Sequence, residues 1–149
     1  MKLTLKTPVA QPLETVWAGF DRTLFDQLSP PFPSVEVVRF DGCLTGDIVH
    51  LRLNFLLFKQ DWISTITDQQ TTPAEIYFID EGTKLPFFLA RWHHRHGLER
   101  RPDGGTCIVD AITFSTPFRL TNYLFFPLLW IQFAYRRPIY RRIFGRLVG

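Results

Sequence analysis

The sequence predicts an α+β fold. A seven-stranded antiparallel sheet curves around a long C-terminal helix, and two short helices lie between the first and second strands. Three observations carry this. Six strand-like segments follow one another between residues 35 and 116, separated by short polar or glycine-containing turns; this is hairpin spacing, too tight for crossovers. An almost continuous apolar run, Phe118 to Tyr135, comes after them, and such a helix needs a sheet to cover it. Ahead of the six strands, one alternating segment is followed by two short helical patterns that end in a proline cluster.

The elements follow in order. Lys2 to Val9 sets Leu3, Leu5 and Thr7 on one face against Lys2, Thr4 and Lys6 on the other, the alternation of a half-buried strand. Pro12 opens a helix, where a missing N–H costs nothing, and Leu13, Val16, Trp17 and Phe20 keep helical spacing. A second short helix fits Arg22 to Leu28, and Ser29-Pro30-Pro31-Phe32-Pro33 stops it. Strands are expected at Val35–Phe40, from Gly46 onward with Val49, Leu51, Leu53 and Phe55 on one face, at Gln60–Thr67 and at Ala74–Asp80. The last two strands form a hairpin within 87–117. The terminal helix is apolar all round from 118 to 135, which predicts burial. Pro127 is expected to begin its main part and Pro138 to kink it.

Length and composition bound the rest. The 149 residues form one domain, 1–149, with enough chain for a sizeable core. Aromatics reach 15%, with fifteen phenylalanines, so either the core is ring-rich or a cavity is lined with rings. Cys43 and Cys107 have neither metal-type spacing nor a disulfide framework. Met1 runs directly into a strand pattern, without a signal-peptide profile, so a cytoplasmic location is expected. The net charge of +3 conceals an asymmetry: residues 1–116 carry 11 basic and 14 acidic side chains, whereas 117–149 carry six arginines and no acid. That tail is either a solvated helix end or a contact for an anionic membrane surface or a second copy. Its aromatics belong to the helix, so they offer no stacking platform for nucleic acid.

The chemistry concentrates in the hairpin Phe87–Pro117. Side chains alternate across a strand, so Phe88, Ala90, Trp92, His94, His96 and Leu98 share one face, and Thr106, Ile108, Asp110, Ile112 and Phe114 share the matching face. Folded about Pro102, the hairpin sets Leu98 opposite Thr106, His96 opposite Ile108, and His94 opposite Asp110. Gly97 is the natural place for a bulge. A histidine–aspartate pair on an apolar face satisfies burial by itself. It equally offers an anchor or a proton for the polar end of a ligand. Zinc accepts N and O ligands, but His94, His96 and Asp110 lack an evident fourth ligand. No metal and no cofactor are assigned. His93 and His50 have the opposite parity and are expected to face solvent. Ser64 shares the inner face, with no histidine placed beside it.

The chain resembles the START-type superfamily of polyketide cyclase/dehydrase and lipid-transport-like proteins, SRPBCC, and a bacterial branch of it. The resemblance covers the whole chain: strand, two helices, six strands, long helix. Its sharpest residues are Pro86-Phe87, Trp92-His93-His94-Arg95-His96, Gly105-Thr106, Asp110, Pro117 and Tyr135-Arg136. Leu98 and Phe118-Arg119 depart from the pattern. The resemblance implies a helix-grip fold with a cavity between the sheet and the terminal helix. Phe55, Trp62, Phe78, Trp92 and Phe114 then line or fill it, and His94, His96 and Asp110 supply its polar groups. The expected function is binding of a hydrophobic small molecule, such as a lipid, a polyketide or an aromatic compound. Two alternatives stand beside it: a cyclase- or dehydratase-type enzyme using His94 and Asp110 for proton transfer, and a surface module acting through the arginine-rich helix.

Overall fold

A computed structural model describes residues 1–147. Strand β1 (Lys2–Val9) leads into α1 (Leu13–Ala18) and α2 (Arg22–Gln27). Then come β2 (Ser34–Phe40), β3 (Ile48–Asn54), β4 (Lys59–Thr71), β5 (Glu75–Lys84), β6 (Arg91–Arg100) and β7 (Thr106–Ser115). Helices α3 (Thr121–Ala134) and α4 (Arg136–Phe144) complete the chain. All strands are antiparallel, in the order β1-β7-β6-β5-β4-β3-β2. The first strand pairs with the last, so the meander β2–β7 closes onto β1 and the sheet curls into a half-barrel around the C-terminal helices. Asp21 caps α2 by accepting a hydrogen bond from the Leu24 amide at 3.0 Å, one of the donors that a helix start leaves free.

Three local expectations are corrected. The β6–β7 register is shifted by two residues: His94 pairs with Ile112, His96 with Asp110 and Leu98 with Ile108. The turn occupies Arg101–Gly105 and centres on Asp103, whose Oδ1 accepts from the Gly105 amide at 2.9 Å, while Gly104 takes φ 87°. An even shift keeps every side chain on its face. Gly97 lies in regular pairing with Val109, and the irregularities fall instead in β2–β3 and β4–β5. Phe55 lies beyond the end of β3 and packs against Phe32, Phe58, Phe87 and Phe88 at the rim of the sheet.

The terminal helix breaks near Pro138 as expected but does not begin at Pro127. Pro127 lies inside α3, and the break comes at Tyr135, between α3 and α4. Pro138 has no amide to give the Ala134 carbonyl, so the ladder weakens where the helix divides. The helix is buried on one side only. Leu129 and Phe133 face the sheet, but Leu124 and Ile131 are 61% and 59% exposed, and Tyr123, Leu128 and Trp130 are exposed with them. A sheet covers one face of a helix, and among the described residues nothing else covers the opposite face. No described helix is long and apolar enough to cross a membrane.

The interior divides in two. Val9, Leu13, Val16, Phe20, Phe78 and Leu98 belong to a cluster that α1, α2 and α4 cover. Leu3, Leu5, Trp92, Ile112, Phe114 and Phe133 belong to another, under α3. Along β6 the order is Trp92, His94, His96, Leu98; along β7 it is Ile108, Asp110, Ile112. The buried polar residues Thr7, Asp110, His94, His96 and Ser64 therefore cross the sheet as a belt between the two apolar clusters.

Candidate functional site

The belt holds a four-membered cluster. His94 Nε2 lies 2.9 Å from Asp110 Oδ1, and its Nδ1 lies 3.5 Å from Asp80 Oδ2. His96 Nε2 lies 2.7 Å from Asp80 Oδ2, and its Nδ1 lies 3.9 Å from Asp110 Oδ1. The imidazole centroids lie 3.5 Å apart, with the ring planes tilted by 32°. The His94–Asp110 contact thus forms across a diagonal of the hairpin instead of between directly paired residues. Both histidines and Asp110 are buried.

Asp80 is the member that sequence reading misses. It sits on β5 two residues after Phe78, on the same face, and Trp92 Nε1 donates to its Oδ1 at 3.0 Å. The sequence does carry a signal: parity from Phe78 puts Asp80 on the inner face, and a carboxylate there needs partners. Arg136 belongs by sequence to the charged tail. In the structure it stacks on the Phe133 ring at 4.3 Å and lines the cavity. Its Nη1 is buried without a hydrogen-bond partner among the described residues.

Protonation follows from burial. Desolvation and the neighbouring His96 push His94 down to about 4, against the pull of Asp110 and Asp80. His94 is therefore neutral near pH 7, with Nε2–H donating to Asp110. Burial opposes ionisation of both aspartates, yet hydrogen bonds from His96 and Trp92 hold Asp80 below the usual carboxylate range. For Asp110 the His94 hydrogen bond does the same. Burial pushes the Cys43 thiol up to about 12, and its Sγ lies 3.6 Å from the Phe20 carbonyl oxygen, so it is no nucleophile at neutral pH.

Three members of the cluster, Asp80, His94 and His96, form one wall of a cavity of about 140 Å³ between the sheet and α3. Trp62, Phe78, Trp92, His94 and His96, together with Asp80, Ser64, Phe133 and Arg136, line it. Phe78 stacks on His96 at 4.2 Å, and Phe133 meets His94 edge-on at 5.1 Å. Asp110 and Phe114 are buried outside this lining, and the rim residue Phe55 also lies outside it. The Ser29–Pro33 segment approaches α3 at the opening, where Gln132 Nε2 donates to the Phe32 carbonyl at 3.2 Å. His93 and His50 lie on the outer face, against Glu81 at 2.7 Å and Asp61 at 3.1 Å. Asp80, His94 and His96 are the described residues whose ligand atoms converge as a metal site would require, all within 4.8 Å of one another.

No family model matches the sequence, and no curated protein matches it. Solved structures do match along nearly the whole chain. Protein Ms6760 from Mycobacterium smegmatis is 17% identical, covers 99% of this chain and 93% of its own, and superposes with a TM-score of 0.69. The Zhui aromatase/cyclase from Streptomyces sp. R1128 is 16% identical, with 96% and 95% covered and a TM-score of 0.63. A norcoclaurine synthase from Thalictrum flavum is 10% identical, with 96% of each chain covered and a TM-score of 0.61. At these identities the likeness is one of fold: the chain has the helix-grip fold.

Proposed function

We propose that the protein binds a hydrophobic small molecule, such as a lipid, a polyketide or another aromatic compound, between the sheet and the C-terminal helix. The observation that carries this is an apolar cavity with a polar cluster gathered on one wall, the pattern of a small-molecule pocket. Its volume narrows the choice. A dry cavity of about 150 Å³ takes one benzene ring, so about 140 Å³ seats one ring or the end of a chain. The remainder of a larger ligand lies at the opening beside Pro30, Pro33 and Gln132. Rings supply affinity at about 25 cal/mol per Å² of apolar area buried, and the His94–His96–Asp80 wall orients one polar group.

Proton transfer is the rival reading, and two fold neighbours are by name a cyclase and a synthase. A histidine held near about 4 is a weak base at neutral pH, which favours anchoring over catalysis. Native mass spectrometry of the purified protein, followed by NMR titration with phenol and benzoate, tests the reading. A co-purified compound, or shifts confined to Trp62, Phe78 and His96, supports it; shifts only on the surface overturn it. His94→Ala weakens retention modestly in a binding protein, whereas loss of a general acid–base group costs about 10²–10⁴ in rate.

A second surface function is favoured by the exposed outer face of α3. Tyr123, Leu124, Leu128, Trp130 and Ile131 form an apolar strip on a chain whose last 33 residues carry six arginines and no acid. An anionic lipid surface fits both properties. Sedimentation with anionic and with neutral liposomes, beside a sizing measurement, tests it. Indifference to lipid charge removes the membrane version, and a concentration-dependent dimer replaces it.

A further inference from the structure

We propose that Asp80, His94 and His96 form a mononuclear site for a divalent first-row transition ion, open on the cavity side, with Asp110 and Trp92 fixing its ligands. The proposal needs no organic ligand in the cavity and stands apart from the binding reading.

The first ground is convergence. Asp80 Oδ2 lies 2.7 Å from His96 Nε2 and 3.5 Å from His94 Nδ1. All three ligand atoms lie within 4.8 Å of one another, so side-chain adjustment brings them to one ion at bond lengths of about 2.0–2.2 Å. Two imidazole nitrogens and one carboxylate oxygen suit zinc, iron(II) or cobalt(II), not the all-oxygen cages of calcium or magnesium. Three protein ligands leave positions open, which is the arrangement of a reactive site and not a structural one. The cavity meets all three ligands, so an oxygen atom of an incoming molecule takes an open position there.

The second ground is the surrounding hydrogen bonds. A ligating histidine ordinarily gives its other N–H to a carboxylate, which sets its tautomer and orientation. His94 donates Nε2–H to Asp110 at 2.9 Å, which leaves the Nδ1 lone pair facing Asp80 Oδ2. A lone pair and a carboxylate oxygen repel across that gap, and a cation between them binds both. The Asp80 carboxylate is held likewise: Trp92 Nε1–H takes Oδ1 at 3.0 Å and leaves Oδ2 for the ion.

His96 supplies the third ground. Its Nδ1 is buried without a hydrogen-bond partner among the described residues, 3.9 Å from Asp110 Oδ1. When Nε2 binds an ion, the ring proton resides on Nδ1, on the side of Asp110. A ring movement that closes the 3.9 Å gap then lets Asp110 accept from both histidines. An unpartnered buried nitrogen is costly in a site built only for packing, and it is accounted for in a metal-bound one.

Full-length protein, stripped with chelator and dialysed, is titrated with cobalt(II) and zinc(II). The expected result is one equivalent of cobalt with visible ligand-field bands that zinc displaces. In ¹⁵N-histidine NMR, zinc shifts His94 Nδ1 and His96 Nε2 while the His94 Nε2–H persists. Asp80→Asn and His96→Gln abolish the bands, and Asp110→Asn weakens affinity by about 10–100-fold. His50→Gln and His93→Gln leave binding unchanged. Thermal melts establish that each variant is folded; for one that is not, the wild-type NMR decides. Absence of bands in the wild type, retention of one equivalent in folded Asp80→Asn/His96→Gln, or zinc shifts at His50 or His93 overturns the proposal. None of these results bears on the phenol titration, which runs on the metal-free protein.

Discussion

At His94, burial and the neighbouring His96 oppose two carboxylates, and burial prevails: the group falls from an ordinary 6.5 to about 4. As pH drops through that interval the unfolded chain takes up a proton that the native state refuses. Stability therefore falls with acid, by about 3 kcal/mol over the whole window. Asp80 and Asp110, held low, contribute stability that is lost only at still lower pH. Urea denaturation at pH 7, 5.5 and 4 measures the first loss. His94→Gln, which keeps a donor toward Asp110, should flatten the curve between pH 6.5 and 4; an unchanged slope would assign the loss to another group. Trp92→Phe probes the same wall. It removes the N–H that Asp80 Oδ1 accepts at 3.0 Å, and a buried acceptor left unpaired costs about 1–3 kcal/mol. The same denaturation assay at pH 7 reads it.

At the scale of elements, the β6–β7 hairpin decides whether the cluster forms, and its turn decides the hairpin. Gly105 passes so close to β1 that a Cβ there would lie 2.5 Å from the Val9 carbonyl oxygen. That neighbour is backbone and cannot rotate away. Gly105→Ala should therefore destabilise the protein by about 1–3 kcal/mol, as overpacking does. Gly104 is the matched control. Its φ is 87°, and a Cβ at that position would meet nothing within 4 Å. Gly104→Asn, whose side chain tolerates that conformation, should cost far less. Equal melting temperatures for the two variants would show that β1 does not fix the turn. Helix α3 illustrates the converse: its outer strip is exposed, so Leu124→Glu and Ile131→Lys should leave stability nearly unchanged in a urea melt.

Across the whole molecule, aromatic rings run from α3 to the far loop. Phe125 stacks on Phe88 at 5.1 Å, Phe88 meets Phe55 and Phe87, and Phe55 stacks on Phe58 at 5.1 Å. Leu56 and Leu57 project beyond them, 82% and 95% exposed. These exposed residues give the molecule a second apolar surface besides the outer strip of α3, and exposed apolar surface of this kind marks a contact surface. Leu57→Asp should therefore weaken sedimentation with anionic liposomes together with Ile131→Lys, while the cavity titration with phenol stays as in the wild type. Loss of phenol binding in these surface variants would tie the two regions together.

Local rules were enough for the elements and faces of this protein. Alternation placed His94, His96, Asp110, Trp92 and Phe114 on one face, hairpin spacing made the sheet antiparallel, and prolines bounded α1 and α2. These properties depend on neighbours within a few residues, and period-2 alternation survives a two-residue error in register. What only the tertiary structure decided is which side chains meet. Asp80 joins the histidines because the β5–β6 register sets it opposite His94, and hairpin spacing makes two strands neighbours without fixing their register. Arg136 lines the cavity, over the Phe133 ring, although by sequence it belongs to the charged tail. The outer face of α3 stays open because an apolar run states what a helix would bury, while the number of layers around it sets what is buried.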